Sequence, residues 1–396
     1  MSTTIAIGFS QTEDPQEAAH QASVAAKNQL NSIATDMVVV FSSIHYAKPE
    51  ILDVIHTILR PARLVGASTA GILLSNGIFN RGLAILAINS HDMAFGIGAA
   101  VHGQGQSLRQ TGFDLGRKII TDYNAPHPRQ VSVMFCDGLF QDGSQFLRGA
   151  QEVLGYGAHL TGAFTCDDFK LKRTYQFHQK QILFSAPVGF LVGSEDPVAL
   201  SSKHGFKPLG KPRLLTQVEN HVIHTIDHKP AIHIYEEYFK GETEHLKKEM
   251  FNSPAMLYPL GIYLENQRQY LLRYPVDILG DGSIVCQGEV PQGAEVHLTI
   301  GNKDSCKNAA TLAAQEVKNT LGDRQAQLVI IFDSMMRYKI LGRYAFVEIQ
   351  AIKEVLGYST PLIGMYSFGE IAPLGLNENI PSTYLQNESL LLLAIS

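Results

Sequence analysis

The chain has 396 residues and a formal net charge of −5, from 32 basic and 37 acidic side chains. Hydrophobic residues make up 45% and charged residues 17%, against about 25% charged in ordinary soluble domains. This excludes a disordered chain and implies a large buried area. The mild acidity and the lack of a basic run exclude nucleic-acid binding by charge.

The predicted elements repeat along the chain. Asp14-Pro15-Gln16-Glu17 supplies an N-cap, a Pro at the first helical position and an early acid, and Ala18, Ala22, Ala25, Ala26 and Leu30 follow near helical spacing. Val38 to Ser43 is a short β-branched run ending in Phe and small polar residues, the pattern of a strand covered on both faces. Leu64 to Thr69 carries Gly66 after an apolar pair and a hydroxyl three residues later, and Leu83 to Ile88 closes the unit. The order recurs with a helix through Leu108, Leu115 and Ile119, then Val131 to Asp137, Leu160 to Thr165 and Val188 to Val192.

From about 196 to 294 the pattern changes to a Pro- and Gly-rich, alternating stretch. A third copy follows: a helix after Asp304 with Ala309, Leu312, Ala313, Val317 and Leu321, stopped by Gly322, then Leu328 to Ser334, Leu362 to Ser367 and Leu390 to Ile395. The expected fold class is α/β. Three repeats of a β-α-β-α-β-β unit, over about 5–92, 94–195 and 295–396, would build mixed, parallel-rich sheets covered by helices. A β-rich insertion would precede the third repeat, with domains over 1–217 and 218–396.

Ligands of open α/β sheets sit beyond the carboxyl ends of the strands. Ser43 should therefore approach Ser68 and Thr69, Asp137 should approach Thr165, Asp167 and Asp168, and Asp333 should approach Ser367 and Glu370. Such polar groups over an apolar floor suit a small-molecule pocket. Asp167-Asp168 reads as a loop cap or a metal or acid/base pair. Glu370 reads as an amine clamp or the partner of a nearby Arg.

His221, His224 and His228 share helical spacing, but the residues between them argue for a strand and turn. No C-x-x-C pair, G-x-S-x-G, Walker loop, S-x-x-K or H-E-x-x-H is present, so no enzyme is expected. The four cysteines, Cys136, Cys166, Cys286 and Cys306, read as reduced thiols. With no signal peptide and no apolar run near 20 residues, the expected setting is cytoplasmic, away from membranes.

Six segments carry a resemblance that covers nearly the whole chain. They are Val38 to Ser43, Leu64 to Ile72, Thr161 to Asp168, Lys203 to Gly210, His228 to Tyr235 and Pro361 to Pro373, the last containing G-M-Y-S-F-G-E-I. In these segments the chain resembles the FIST sensory proteins, with an N-terminal and a C-terminal FIST domain. The family's C-terminal domain often carries a Cys and then an Arg after its penultimate parallel strand. Here Asp333-Ser334-Met335-Met336-Arg337 keeps the Arg, Arg337, without the Cys. The resemblance implies a ligand-binding input module of bacterial signal transduction, with amino acids or related metabolites as ligands. No kinase, receiver or methyl-accepting segment is legible, so the signal would pass to a partner such as a histidine kinase. Some members bind haem and sense nitric oxide. His204, in the K-H-G-F segment, and His45, at a strand end, would be the axial candidates here.

Overall fold

A computed structural model describes residues 3–30, 34–140, 142–155, 158–170, 172–239, 257–265, 267, 269–374 and 383–396. Three six-stranded sheets share one plan, and a fourth sheet of eight strands is inserted among them.

In the first sheet the order is Thr4–Ser10, Leu83–Asn89, Thr35–Ser42, Pro61–Ser68. In the second it is Met93–Ala99, Val188–Ser194, Arg129–Asp137, His159–Thr165. In the third it is Val198–Lys203, Leu390–Ile395, Leu328–Ser334, Leu362–Ser367. Within each set only the last two strands pair in parallel with one another. The sheets are mixed, as expected, but not parallel-rich. The returning strand enters between the two strands that the first helix connects and runs antiparallel to both.

The unit also holds a hairpin that the expected pattern lacks. Each hairpin leaves its own sheet and extends another. Ile72–Leu74 with Gly77–Phe79 joins the third sheet, Gln176–His178 with Gln181–Leu183 joins the first, and Gly369–Pro373 with Thr383–Gln386 joins the second. The exchange closes a ring, so no one unit can complete its sheet alone.

The inner faces of all three sheets meet in one apolar core. At its centre Phe41, Phe135 and Phe332, which end the three repeated runs, pack edge to face with centroids 5.8, 6.0 and 6.5 Å apart. The glycine of the second signature has a physical cause. A Cβ on Gly66, Gly162 or Gly364 would lie 2.2, 2.0 or 2.2 Å from a carbonyl oxygen of the neighbouring parallel strand. Helices cover the outer faces, with small residues such as Ala18, Ala22 and Ala26 against the first sheet.

The third unit begins earlier than the sequence suggests. Its first strand is Val198–Lys203, paired with Leu390–Ile395, and the insertion follows that strand. Glu295–Ile300 belongs to the inserted sheet, where it pairs with Leu260–Tyr263 and with Lys207–Glu219. The helix Lys303–Leu321 is capped by Asn302 through a reciprocal box with Ser305, not by Asp304. Leu312, expected on its buried face, is 45% exposed. The helix Pro15–Lys27 starts as expected, with the Asp14 side chain accepting from the Glu17 N–H at 2.8 Å. No helix among the described residues is long and apolar enough to cross a membrane.

Candidate functional site

The strand ends meet in register: Ser42 lies opposite Ser68, Asp137 opposite Thr165 and Ser334 opposite Ser367. Most of the predicted polar side chains there spend their hydrogen bonds on the fold. Ser43 Oγ accepts from the Gly82 N–H at 3.3 Å. Ser68 Oγ donates to the Cys166 carbonyl at 3.0 Å and accepts from the Tyr175 N–H at 2.9 Å. Thr69 Oγ1 lies 2.8 Å from the carbonyls of both Gly71 and Tyr366. These bonds tie the three hairpin crossings together.

In the second unit Asp137 is an acceptor hub. Its Oδ1 takes the Leu139 N–H at 3.0 Å and the Thr174 hydroxyl at 2.8 Å, and its Oδ2 takes Ser185 Oγ at 3.2 Å. Thr165 Oγ1 accepts from Gln176 Nε2 at 2.9 Å. Asp167 caps the following loop through the N–H groups of Lys170 and Lys172, at 2.9 and 2.7 Å. Asp168 turns outward to Lys170 Nζ at 2.7 Å. The loop-cap reading holds for Asp167. The two adjacent carboxylates use different partners and do not act as a pair.

The third unit is different. Arg337 is fully buried and reaches Asp333 Oδ1 at 3.0 Å, Glu348 Oε1, and the carbonyls of His204 and Cys306 at 2.5 and 3.2 Å. Ser367 Oγ lies 3.1 Å from the Asp333 carbonyl and donates to Glu370 Oε1 at 2.7 Å; Glu370 Oε2 accepts the Ser389 N–H at 3.0 Å. Burial pushes the Glu370 carboxyl up to about 8. Glu370 bonds to neither an Arg nor a Lys, so the expected Arg partner belongs to Asp333 and Glu348 instead. Burial first, then the nearby Glu348, raises Asp333 well above the usual carboxylate range.

Sequence reasoning missed Glu388, in the bend before Leu390–Ile395. It is 1% exposed, and both carboxylate oxygens are buried with no hydrogen-bond partner. It holds φ +57, a region that side chains of its size rarely adopt. Its neighbours fix that shape. Gln386 Nε2 bonds the Ala372 and Pro373 carbonyls at 3.1 and 2.9 Å, and Asn387 takes the Tyr274 N–H at 3.1 Å. Burial, then the charge of Glu370, raises Glu388 well above the usual range, with Arg337 and Lys339 opposing.

Beside this bend lies a cleft of about 440 Å³. Leu139 and Phe140 come from the second unit, Phe368 from the third, and His221, Leu279 and Gln287 from the insertion. Its walls are largely apolar, and His221 Nδ1 and Gln287 Nε2 are buried without a partner. Gln287 Oε1 accepts from Asn387 Nδ2 at 2.8 Å, which joins the cleft wall to the Glu388 bend. Phe368 packs on Tyr274 with centroids 6.3 Å apart, and Glu388 raises the Tyr274 hydroxyl after burial does. Asp137 and Ser367 each stand one residue before a cleft-lining residue, Gly138 and Phe368. The predicted residues thus frame the cleft rather than line it. Other clefts, of about 660 and 430 Å³, lie at Asn302–Lys307 and around the buried Arg273.

His204 is buried. Its Nδ1 accepts from the Phe206 N–H at 2.9 Å, its Nε2 has no partner, and burial lowers it to about 3, so the ring is neutral. His45 is exposed on the one-turn helix Ile44–Tyr46. His221 and His224 flank and enter the strand Val222–Ile226, and His228 sits in the turn that follows. Among the described residues no group of three or more His, Cys, Asp or Glu is arranged to hold a metal ion. All four thiols are buried and unpaired, and burial raises each, which removes Cys136 as a nucleophile.

Two family descriptions match the chain: the FIST N domain over residues 36–229 and the FIST C domain over 231–373. No curated protein matches it. Among solved structures it is similar to a cyanuric acid hydrolase from A. caulinodans, at 9% identity and TM-score 0.38 over 99% of both chains. A second cyanuric acid hydrolase, described as an evolutionary innovation by structural concatenation, matches at 8% identity and TM-score 0.35 over 100% of both chains. Likeness at that level supports no argument about activity. FIST domains are associated with sensory signal transduction and the binding of small ligands. The chain belongs to the FIST family, with an N-terminal and a C-terminal FIST domain.

Proposed function

We propose that this chain is a non-enzymatic input module of bacterial signal transduction. It takes an amino acid or related metabolite into the cleft beside Phe368 and signals through a partner such as a histidine kinase. The observation that supports this is the cleft itself: about 440 Å³, largely apolar, with His221 Nδ1 and Gln287 Nε2 lacking partners in its wall. Its walls come from the second unit, the third unit and the insertion, so a ligand there would bias how the three pack. The regions 1–217 and 218–396 would then act as one device, since Ile72–Leu74 and Val198–Lys203 of the first complete a sheet of the second.

The test is a thermal-shift screen against amino acids and related metabolites. A ligand at 100 times its Kd should stabilise the protein by about 2.7 kcal/mol. The shift should vanish in Gln287→Ala and in Leu139→Arg. A shift that survives both variants would place the ligand elsewhere, and silence across the panel would sink the reading.

Haem fits the described residues less well. His204 presents a neutral imidazole with a free Nε2 but lines none of the three clefts, and His45 is on the surface. Added haemin should give no sharp Soret band, and a band abolished by His204→Ala would make the protein a haem binder with His204 as its axial ligand.

A further inference from the structure

The third unit, which supplies Phe368 to the cleft, buries four carboxyl groups, Asp333, Glu348, Glu370 and Glu388, and one guanidinium, Arg337. Arg337 is saturated by Asp333, Glu348 and two carbonyls. Asp333 and Glu348 thereby share the one guanidinium, each through a single oxygen. Glu370 and Glu388 remain.

Glu370 has a hydroxyl and an N–H. Glu388 has nothing: among the described residues it is the one carboxylate with both oxygens buried and unbonded. Such a group is costly to bury without a partner. Its backbone is nevertheless held at φ +57 by three neighbouring side chains that are all bonded. A fold that only avoided the cost would let the side chain swing to water.

We infer that Glu388 is the anchor for the cationic head of the ligand, a protonated amine or guanidinium, entering past Phe368 and Tyr274. The inference rests on reading the cleft as the sensory site. Two unbonded carboxylate oxygens accept N–H groups of such a cation directly. Phe368 lines the cleft, and the buried Tyr274 packed against it carries the aromatic surface inward toward Glu388. A bare metal is disfavoured by the absence of a metal-holding group among the described residues. The charged and titratable groups facing Glu388 are Glu370, Arg337 and Lys339, with Tyr235, Tyr274 and Cys306 beside them. Of these, Arg337 is already committed, and Lys339 lies on an exposed position of its helix. A cation arriving beside two carboxyls that hold their protons tightly should expel at least one proton. Binding should therefore tighten as pH rises.

The experiment compares three compounds of equal chain length, 1,4-diaminobutane, butane-1,4-diol and succinate, by calorimetry on the full chain. Two buffers of different ionisation heat count the protons released. The diamine alone should bind. Each proton released tightens binding by up to about ten-fold per pH unit between pH 6 and 8. Glu388→Gln should abolish both the binding and the proton release while still melting cooperatively. Asp122→Asn, in the second unit at a surface ion pair with Arg63, should keep both. Diol or succinate binding that Gln287→Ala removes would keep the cleft as the sensory site and overturn the cationic anchor. Diamine binding unchanged in Glu388→Gln would also overturn the anchor. No binding by any of the three, together with a silent metabolite screen, would remove the anchor and the cleft reading alike.

Discussion

The second and third units place acids at the same end of the same pair of parallel strands, and the two sets of acids behave in opposite ways. The register explains why. Asp137 is two residues after Phe135 and Asp333 is one after Phe332, so the side chains leave opposite faces of their sheets. Asp137 shares the inner face with Phe135, where Thr174 and Ser185 of the hairpin region satisfy both its oxygens. Asp333 points to the helix-covered face, fully buried, and meets Arg337, Glu348 and the charge of Glu370 there. The second unit's acids hold loops. The third unit's acids Asp333, Glu370 and Glu388 are buried and hold their protons.

This contrast should show first in stability. Arg337→Met leaves Asp333 and Glu348 buried without their cation, and the expected cost is about 3–5 kcal/mol. Asp137→Asn keeps the shape and weakens the three hydrogen bonds that its side chain accepts, for about 1–3 kcal/mol. Denaturant midpoints at fixed pH check both. Equal costs would break the distinction between the two strand ends.

The scaffold beneath them should respond alike. Gly162→Ala and Gly364→Ala each drive a Cβ to within about 2 Å of a carbonyl, at 2.0 and 2.2 Å. Each should cost at least about 1–3 kcal/mol through forced backbone shifts. Gly162, with φ +135, should suffer more. Gly280→Ala, with nothing within 4 Å, is the control and should be near neutral.

Part of this was legible in the sequence. The three strand runs, the glycines and the strand-end polar residues follow from continuous apolar patterning, which records burial on both faces. The hairpin exchange was not legible. Segments such as Ile72–Leu74 are three residues long, and which sheet they join is decided by tertiary packing. The parity of Asp137 and Asp333 relative to Phe was on the page and carries the functional difference. Gln287 and Glu388 belong to no motif; one lies in an inserted sheet and one in a bend. They matter through what they fail to bond, and a sequence does not record that.

The last difference between the units is in their response to pH. Burial raises Glu370 to about 8, and Glu388 and Asp333 rise in the same direction. A carboxyl raised in the folded state holds its proton more tightly there than in the unfolded chain, where Glu titrates near 4.3. Its contribution to stability is therefore complete below about pH 4 and is lost as pH climbs toward 8. Over that window each such proton should lower the unfolding free energy by about 1.4 kcal/mol per pH unit. Denaturant titrations at half-unit steps from pH 5 to 8 read the slope. Glu370→Gln should flatten it by one proton. A saturating cationic ligand should also flatten it, since it takes the place of the protons that the third unit otherwise holds.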